Sequence, residues 1–359
     1  MLGGCTPIRG RGAAENPQNR FESLRYDWDL DPAEPLDPED PAPATRFLKD
    51  PSRSIIAYNQ SPDVGFDASL NPYRGCEHGC IYCYARPAHE YLGFSAGLDF
   101  ETKILVKEDA PALLRKALSS PLWKPQAVAL SGVTDPYQPA ERRLALTRKC
   151  LEVLAEFRNP VVVITKNHLV TRDIDLLGHL AECEAVAVFL SVTTLNENLR
   201  RLMEPRASPP LRRLAAIEAL VRAGAPAGVL VAPVIPALTD HELPSILQAA
   251  AGAGAQFAGY VPLRLPHGVS RLFEQWLDRH FPAKKDKVLN RIRAIRGGRL
   301  NDPRFSHRMR GEGVFAEQIE NLFSVACRKA GILGRRPGLS TGSFRRPLDS
   351  QLALFEPSG

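Results

Sequence analysis

The sequence predicts an α/β fold of repeated strand–helix units around a parallel sheet, and three observations carry that expectation. Apolar, β-branched runs bounded by turn residues recur at 126–131, 161–165, 186–192, 228–235 and 256–261, as strands buried on both faces require. Helical spacing fills the intervals: Leu146, Cys150, Val153 and Phe157 share one face, as do Leu211, Leu214, Ile217 and Val221, and Gly224 stands where a helix would be capped. Strands alternating with helices in a chain of 359 residues fit one large unit of βα repeats.

Taken in order, residues 1–55 are rich in proline, charge and small polar groups and have no periodicity, so a mostly disordered arm is predicted there. Within it Asp27, Asp29, Asp31, Glu34, Asp37, Glu39 and Asp40 meet no basic residue between Tyr26 and Thr45. The core is placed at 56–269. Gly65 to Leu70 reads as the first of six strands and runs into a cysteine-rich loop, Asn71 to Arg86. A short extended piece follows at Lys103 to Val106, then a helix from Ala110 to Ser119, then the five further strands.

From 270 to 335 the pattern becomes helical and basic, with Arg271, Arg279, Lys284, Lys285, Lys287, Arg291, Arg293, Arg296, Arg299, Arg304, Arg308 and Arg310 opposed only by Glu274, Asp278, Asp286 and Asp302. Such a run either follows a phosphate backbone or forms a solvated helical face. Phe273, Trp276, Phe281 and Phe305 interleave with it, and Ile319, Leu322, Phe323 and Ala326 mark an apolar face. Residues 336–359 read as an irregular tail.

Net charge is +6 and hydrophobic residues make up 44% of the chain. No apolar run reaches the length of a membrane span, and the first residues lack the regions of a secretory signal. A cytoplasmic protein with no membrane partner is expected.

The loop concentrates three of the seven cysteines, Cys76, Cys80 and Cys83. Three crowded cysteines leave one unpaired, which disfavours a disulfide. Thiolates at this spacing converge on a soft metal centre, yet a structural zinc or an ordinary iron–sulfur cubane takes four protein ligands. Two readings meet the shortfall. His78 or His89 completes a Cys3His zinc site, making a nucleic-acid-binding module without redox chemistry; or the cysteines hold a [4Fe-4S] cluster whose fourth iron accepts another ligand. Gly75 and Gly79 suit a backbone wrapped tightly around either.

Polar motifs follow the predicted strands. Gly132, Thr134 and Asp135 lie in the stretch 131–141, where Asp135 before Pro136 also reads as a helix N-cap. Thr165-Lys166-Asn167 ends the next strand, and Ser191, Thr193 and Thr194 the one after. Glu204-Pro205-Arg206 and Ala232 to Pro236 follow.

The CxxxCxxC spacing, with Tyr82 just before the third cysteine, resembles the signature of the radical S-adenosylmethionine (SAM) superfamily. Together with the TDPYQP, TKN, SVTT and EPR motifs, it is similar to the branch related to spore photoproduct lyase over residues 50–270. The resemblance implies a (βα)6 partial barrel, open at one side, with Cys76, Cys80 and Cys83 each binding one iron of a [4Fe-4S] cluster and SAM chelating the fourth. It places Tyr82 near the adenine, Gly132, Thr134 and Asp135 near the amino group, and makes Lys166 and Ser191 SAM contacts. Ribose hydroxyls would meet Ser191, Thr193 and Thr194. It further implies reductive cleavage of SAM to a 5′-deoxyadenosyl radical, a reductant such as flavodoxin or ferredoxin, and a lyase-like or modification reaction with nucleic acid as the suggested substrate.

There is one departure. The lyase uses a cysteine near the second strand end, whereas residues 129–135 contain none, and Cys150 falls on an apolar helical face typical of core cysteine. Tyr84 and Tyr137 are the remaining candidates for carrying a radical.

Overall fold

The structure is a computed structural model and describes residues 8–21, 43–332, 334 and 338–347. Its strands are β1 (Arg46–Lys49), β2 (Ile56–Tyr58), β3 (Ala68–Leu70), β4 (Tyr73–Arg74), β5 (Lys103–Val106), β6 (Val128–Leu130), β7 (Val161–Thr165), β8 (Val186–Ser191), β9 (Ala227–Val234) and β10 (Ala258–Pro262). Seven of them form one sheet in the order β10-β9-β8-β7-β6-β3-β2. From β3 to β10 every pairing is parallel, and only the edge strand β2 runs antiparallel, to β3. This is the open partial barrel of six βα units, with β2 added at one edge.

The central strands are buried over nearly their whole length, β6 as Val-Ala-Leu and β7 as Val-Val-Val-Ile-Thr, because helices cover their outer face. The helices Leu146–Phe157, Pro210–Arg222 and Leu243–Gly252 turn Leu151, Leu154, Ile217, Leu220, Ile246 and Leu247 into a continuous core with Val161, Val163, Val188 and Val229. Since all six parallel strands point the same way, their carboxyl ends share one rim, where α/β folds gather their chemistry.

A smaller sheet, ordered β1-β5-β4, supports the cysteine loop from below. Here the expectation of a disordered arm over residues 1–55 needs correction. Residues 8–21 pack on the loop's supports, β1 pairs in parallel with β5, and Ala13 and Asn19 are buried. These residues form individual bonds to distant partners, as when Asn19 Nδ2 donates to the Glu90 carbonyl at 2.8 Å. Such pairings leave no periodic trace in sequence. Residues 1–7 and 22–42 of the arm lie outside the described residues.

The C-terminal part carries the helices Gly268–His280, Lys285–Ala294 and Val314–Ala330. Phe273 and Trp276 are core residues, whereas Phe305 is exposed. Ile319, Phe323 and Ala326 bury against the barrel, but Leu322 at the edge of that stripe is 37% exposed. In the tail, residues 338–347 have no helix or strand, yet they are anchored: Ser340 N donates to the Glu184 carbonyl at 2.9 Å and Arg345 N to the Phe157 carbonyl at 3.0 Å. Residues 348–359 lie outside the described part. No helix among the described residues is long and apolar enough to cross a membrane.

Candidate active site at the cysteine loop

The loop after β4 is fixed from three sides. Cys76 N donates to the Phe100 carbonyl at 2.8 Å, Ile81 N to the Met203 carbonyl at 3.0 Å, and Arg206 N to the His78 carbonyl at 3.3 Å. Beneath it lies the ion pair of Arg86 and Glu101 at 2.6 Å, both side chains fully buried. Arg86 also donates to the carbonyls of Cys80 at 3.0 Å, Ala96 at 3.1 Å and Gly97 at 2.9 Å. Glu101 accepts from Gly12 N at 3.0 Å and Ala13 N at 2.8 Å. Gly79 has a left-handed backbone, and a Cβ there would stand 2.7 Å from Glu101 Oε2; one on Gly12 would meet the Gly79 carbonyl oxygen at 1.8 Å. Both glycines are therefore required by close approach.

The three thiols do not form one compact ligand set. Only one described group of three or more His, Cys, Asp or Glu has its ligand atoms all within 4.8 Å of one another, namely Asp302, His307 and Glu312. Cys76, Cys80 and Cys83 are spread wider than one zinc with bonds of about 2.3 Å to sulfur would hold them. The histidines do not complete such a set either. His78 faces Asp135 through Nδ1 at 3.3 Å and Asn167 through Nε2 at 3.2 Å, and of the thiols it hydrogen-bonds Cys76. His89 Nε2 is buried without a partner among the described residues, but it too forms no close group with the thiols. Burial pushes Cys83 up to about 11 and Cys80 well above its ordinary value. These sulfurs become thiolates only with a compensating cation beside them, which a metal centre provides.

Opposite the loop, the rim carries a buried polar network centred on Glu204. Its carboxylate pairs with the fully buried Arg213, accepts from Tyr82 Oη and from Thr193 Oγ1, the latter at 2.8 Å, and lies 3.1 Å from Lys166 Nζ. Burial alone would raise Glu204, but Arg213 and Lys166 outweigh it and hold it well below the carboxylate range. Lys166 Nζ further donates to Ser191 Oγ at 2.8 Å, Thr193 Oγ1 at 3.1 Å and the Ala232 carbonyl at 2.9 Å. Tyr82, Lys166 and Ser191, widely separated in sequence, are thus brought together beside Cys80 and Cys83.

Other candidates are placed differently. Asp135 accepts from Thr165 Oγ1 and Lys166 N, both at 2.7 Å, and from Tyr137 N at 2.9 Å, besides His78. Burial disfavours its charge, yet His78 and these donors keep its pKa lowered; His78 in turn is pulled down by burial but raised on balance by Asp135 and Cys76 to about 10. Asp135 is therefore a clamp joining the cysteine loop to the end of β7. Thr134 Oγ1 turns to the Gly75 carbonyl at 2.7 Å, and Thr194 Oγ1 to Glu242 at 2.6 Å. Gly132 stays open, its carbonyl accepting from Tyr84 Oη at 2.6 Å. Tyr84 is 47% exposed, whereas Tyr137 is fully buried and donates to Asp173 at 3.0 Å. Cys150 sits in the core, where burial raises its pKa.

Sequence reasoning missed Glu101 and Arg86 as supports and Glu204 as the hub, although Arg86 closes the cysteine motif and Glu204 opens the EPR motif. Only the fold shows that their buried charges require each other.

Six parallel strands, with a three-thiol loop and a buried lysine network on one rim, define an α/β partial barrel with its polar site at the strands' carboxyl ends. Residues 70–250 match the Radical SAM superfamily, and the chain belongs to that superfamily. It is 40% identical over 231 residues to an uncharacterised protein of Mycobacterium tuberculosis, covering 63% of this chain and 68% of that one. An uncharacterised protein of Methanocaldococcus jannaschii is 27% identical over 224 residues, covering 62% and 79%. Among solved structures, a tyrosine-to-phenylalanine mutant of spore photoproduct lyase shares the fold at a TM-score of 0.56 and 16% identity, over 79% of this chain and 78% of that chain.

Proposed function

We propose that this chain binds a [4Fe-4S] cluster through Cys76, Cys80 and Cys83 and SAM along the rim formed by Tyr82, Lys166 and Ser191, and acts as a radical SAM enzyme. The observation that carries this reading is the convergence of a three-thiol loop, too wide for one ion, with a buried tyrosine and lysine held on a common carboxylate. When bound, the two groups supply reductive cleavage of a sulfonium to a carbon radical that takes a hydrogen atom from substrate.

This chain's residues orient and shield that chemistry. Glu204 holds Lys166 and Tyr82, so that Lys166 offers a cation to a carboxylate while Tyr82 forms an apolar wall. Gly132 leaves room for close approach. Asp135 supports the site through His78 and the Lys166 backbone. With Cys150 in the core and no cysteine in 129–135, this region offers no thiol to return a hydrogen atom. The reading therefore shares hydrogen abstraction with the lyase branch but not its thiol step. Tyr84, half exposed beside Cys83, is the remaining tyrosine candidate. A low-potential donor of flavodoxin or ferredoxin type supplies the electron.

The test is anaerobic reconstitution with iron and sulfide, reduction with dithionite and assay for 5′-deoxyadenosine after adding SAM. Formation in the natural protein and none in Cys80→Ala supports the reading; a reduced, loaded cluster that never cleaves SAM, with or without nucleic acid, overturns it.

A further inference from the structure

The two edges of the open sheet are β2 and β10, and a cluster of arginines spans the gap between the segments attached to them. Arg308 pairs with Asp63 and donates to Ser61, both in the turn after β2, and Ser306 N donates to Asp63 Oδ1 at 2.6 Å. Arg296 is almost wholly buried and donates to the carbonyls of Pro262 at 2.7 Å, Leu263 at 3.0 Å, His307 at 2.8 Å and Arg308 at 2.9 Å. Its hydrogen bonds lock the end of β10 to the segment carrying Arg308.

Arg264 lies between these fixed pieces. Its guanidinium stacks over the Tyr84 ring at 4.6 Å, on the residue after Cys83. Among the described residues it makes no ion pair or hydrogen bond, and the nearby carboxylate, Asp63, is already taken by Arg308 and Ser306. Burial and then Arg308 lower the Arg264 pKa, against the opposing effects of Tyr84, Asp63 and Cys83. A half-buried guanidinium that stacks on a ring and has no hydrogen-bonded anion is incompletely compensated. An anion supplies the missing partner, and a forked guanidinium favours a phosphate or carboxylate. Locally, Arg264, Arg296 and Arg308 face two carboxylates, Asp63 and Asp302, which leaves an excess positive charge suited to one anionic group. The exposed part of Tyr84 beside them offers a surface on which a base can stack.

We propose that Arg264 seats a backbone phosphate of a nucleic-acid substrate, with a base against Tyr84, where the open sheet admits it to the cysteine loop. This deepens the radical SAM reading and rests on it. Two arginines of the sequence's basic extension are thereby structural, Arg296 as a buried clamp and Arg308 as a staple across the opening, while the proposed phosphate contact, Arg264, precedes the extension in the loop after β10.

The test measures binding of a fluorescein-labelled oligothymidylate by anisotropy at several salt concentrations, using the reconstituted protein, with an oligoglutamate peptide of equal length as the competing anion. Arg264→Gln is expected to lose roughly five- to tenfold affinity for the oligonucleotide and to reduce the slope of log affinity against log salt by about 0.7, as for one lost single-strand phosphate contact. Arg264→Lys should lie between, and Arg293→Gln, which removes a charge from the basic helix, should stay within about twofold. Iron content and thermal midpoint show whether each variant is folded. Equal affinity of Arg264→Gln and the natural protein overturns the proposal, as does no oligonucleotide binding by the natural protein or equally strong, Arg264-dependent binding of oligoglutamate. Failure of the radical reading shows separately, as no 5′-deoxyadenosine from the natural protein with its cluster reduced and SAM present.

Discussion

Two fully buried carboxylates flank the cysteine loop, each paired with a fully buried arginine, and they differ in what else they hold. Glu101 below the loop is surrounded by framework: Arg86, and the backbone of Gly12 and Ala13. Glu204 on the rim is surrounded by side chains that face the proposed cofactor site, Tyr82, Thr193 and Lys166. Equal burial and the same pair of charges thus serve two purposes. A carboxylate partnered by backbone fixes a loop's path, while one partnered by side chains fixes their direction.

The largest effect expected from breaking this contrast is that of Glu101→Ala. It leaves Arg86 charged and buried and should cost about 3–5 kcal/mol, read by chemical unfolding, together with loss of bound iron. If stability falls while iron loading is normal, the loop does not depend on this support.

Acid sharpens the comparison without mutation. His89 packs against Phe100 beside Glu101, and burial depresses its pKa to about 4. The unfolded chain binds that proton first, so this stability is present above about pH 6.5 and falls as pH drops toward 4, by roughly 3 kcal/mol at pH 4. Glu204, held well below the carboxylate range, stays charged over that interval. A His89→Phe variant that retains the fold should flatten the pH dependence of stability between 6.5 and 4; an unchanged slope would assign it elsewhere.

Glu204→Gln also leaves a fully buried arginine, Arg213, without its charged partner and should cost about 3 kcal/mol, at the low end because the amide keeps hydrogen bonds, and its main consequence should be weaker SAM binding with iron retained. Lys166→Met should weaken SAM by about tenfold, or about 1.4 kcal/mol, with little change in thermal midpoint; calorimetric titration measures both. The smallest effect is that of Tyr137→Phe, about 1 kcal/mol with no loss of 5′-deoxyadenosine formation, since Tyr137 is a buried partner of Asp173. A large activity loss would restore it as a radical carrier.

What was legible in sequence follows the same division. Parallel strands announce themselves as apolar runs, so residues 161–165 coincide with β7 and 110–119 with the helix found there. The cysteine spacing is local and could be read directly. Asp135, Thr134 and Thr194 could not be resolved, because a polar residue at a strand end looks alike whether it faces a ligand or a neighbouring loop. Residues 8–21 were misread because their order comes from partners some 70 to 90 positions away, and composition carries no record of them.

The contact of Gly12 against Gly79 has a further consequence, for the thiol site. Arg11, Gly12 and Ala13 bond to Glu101 across 88 to 90 positions of chain, so this strap and the support of the loop stand or fall together. A side chain at position 12 would therefore press on the backbone between Cys76 and Cys80, so that the earliest described residues act as part of the thiol site's own wall.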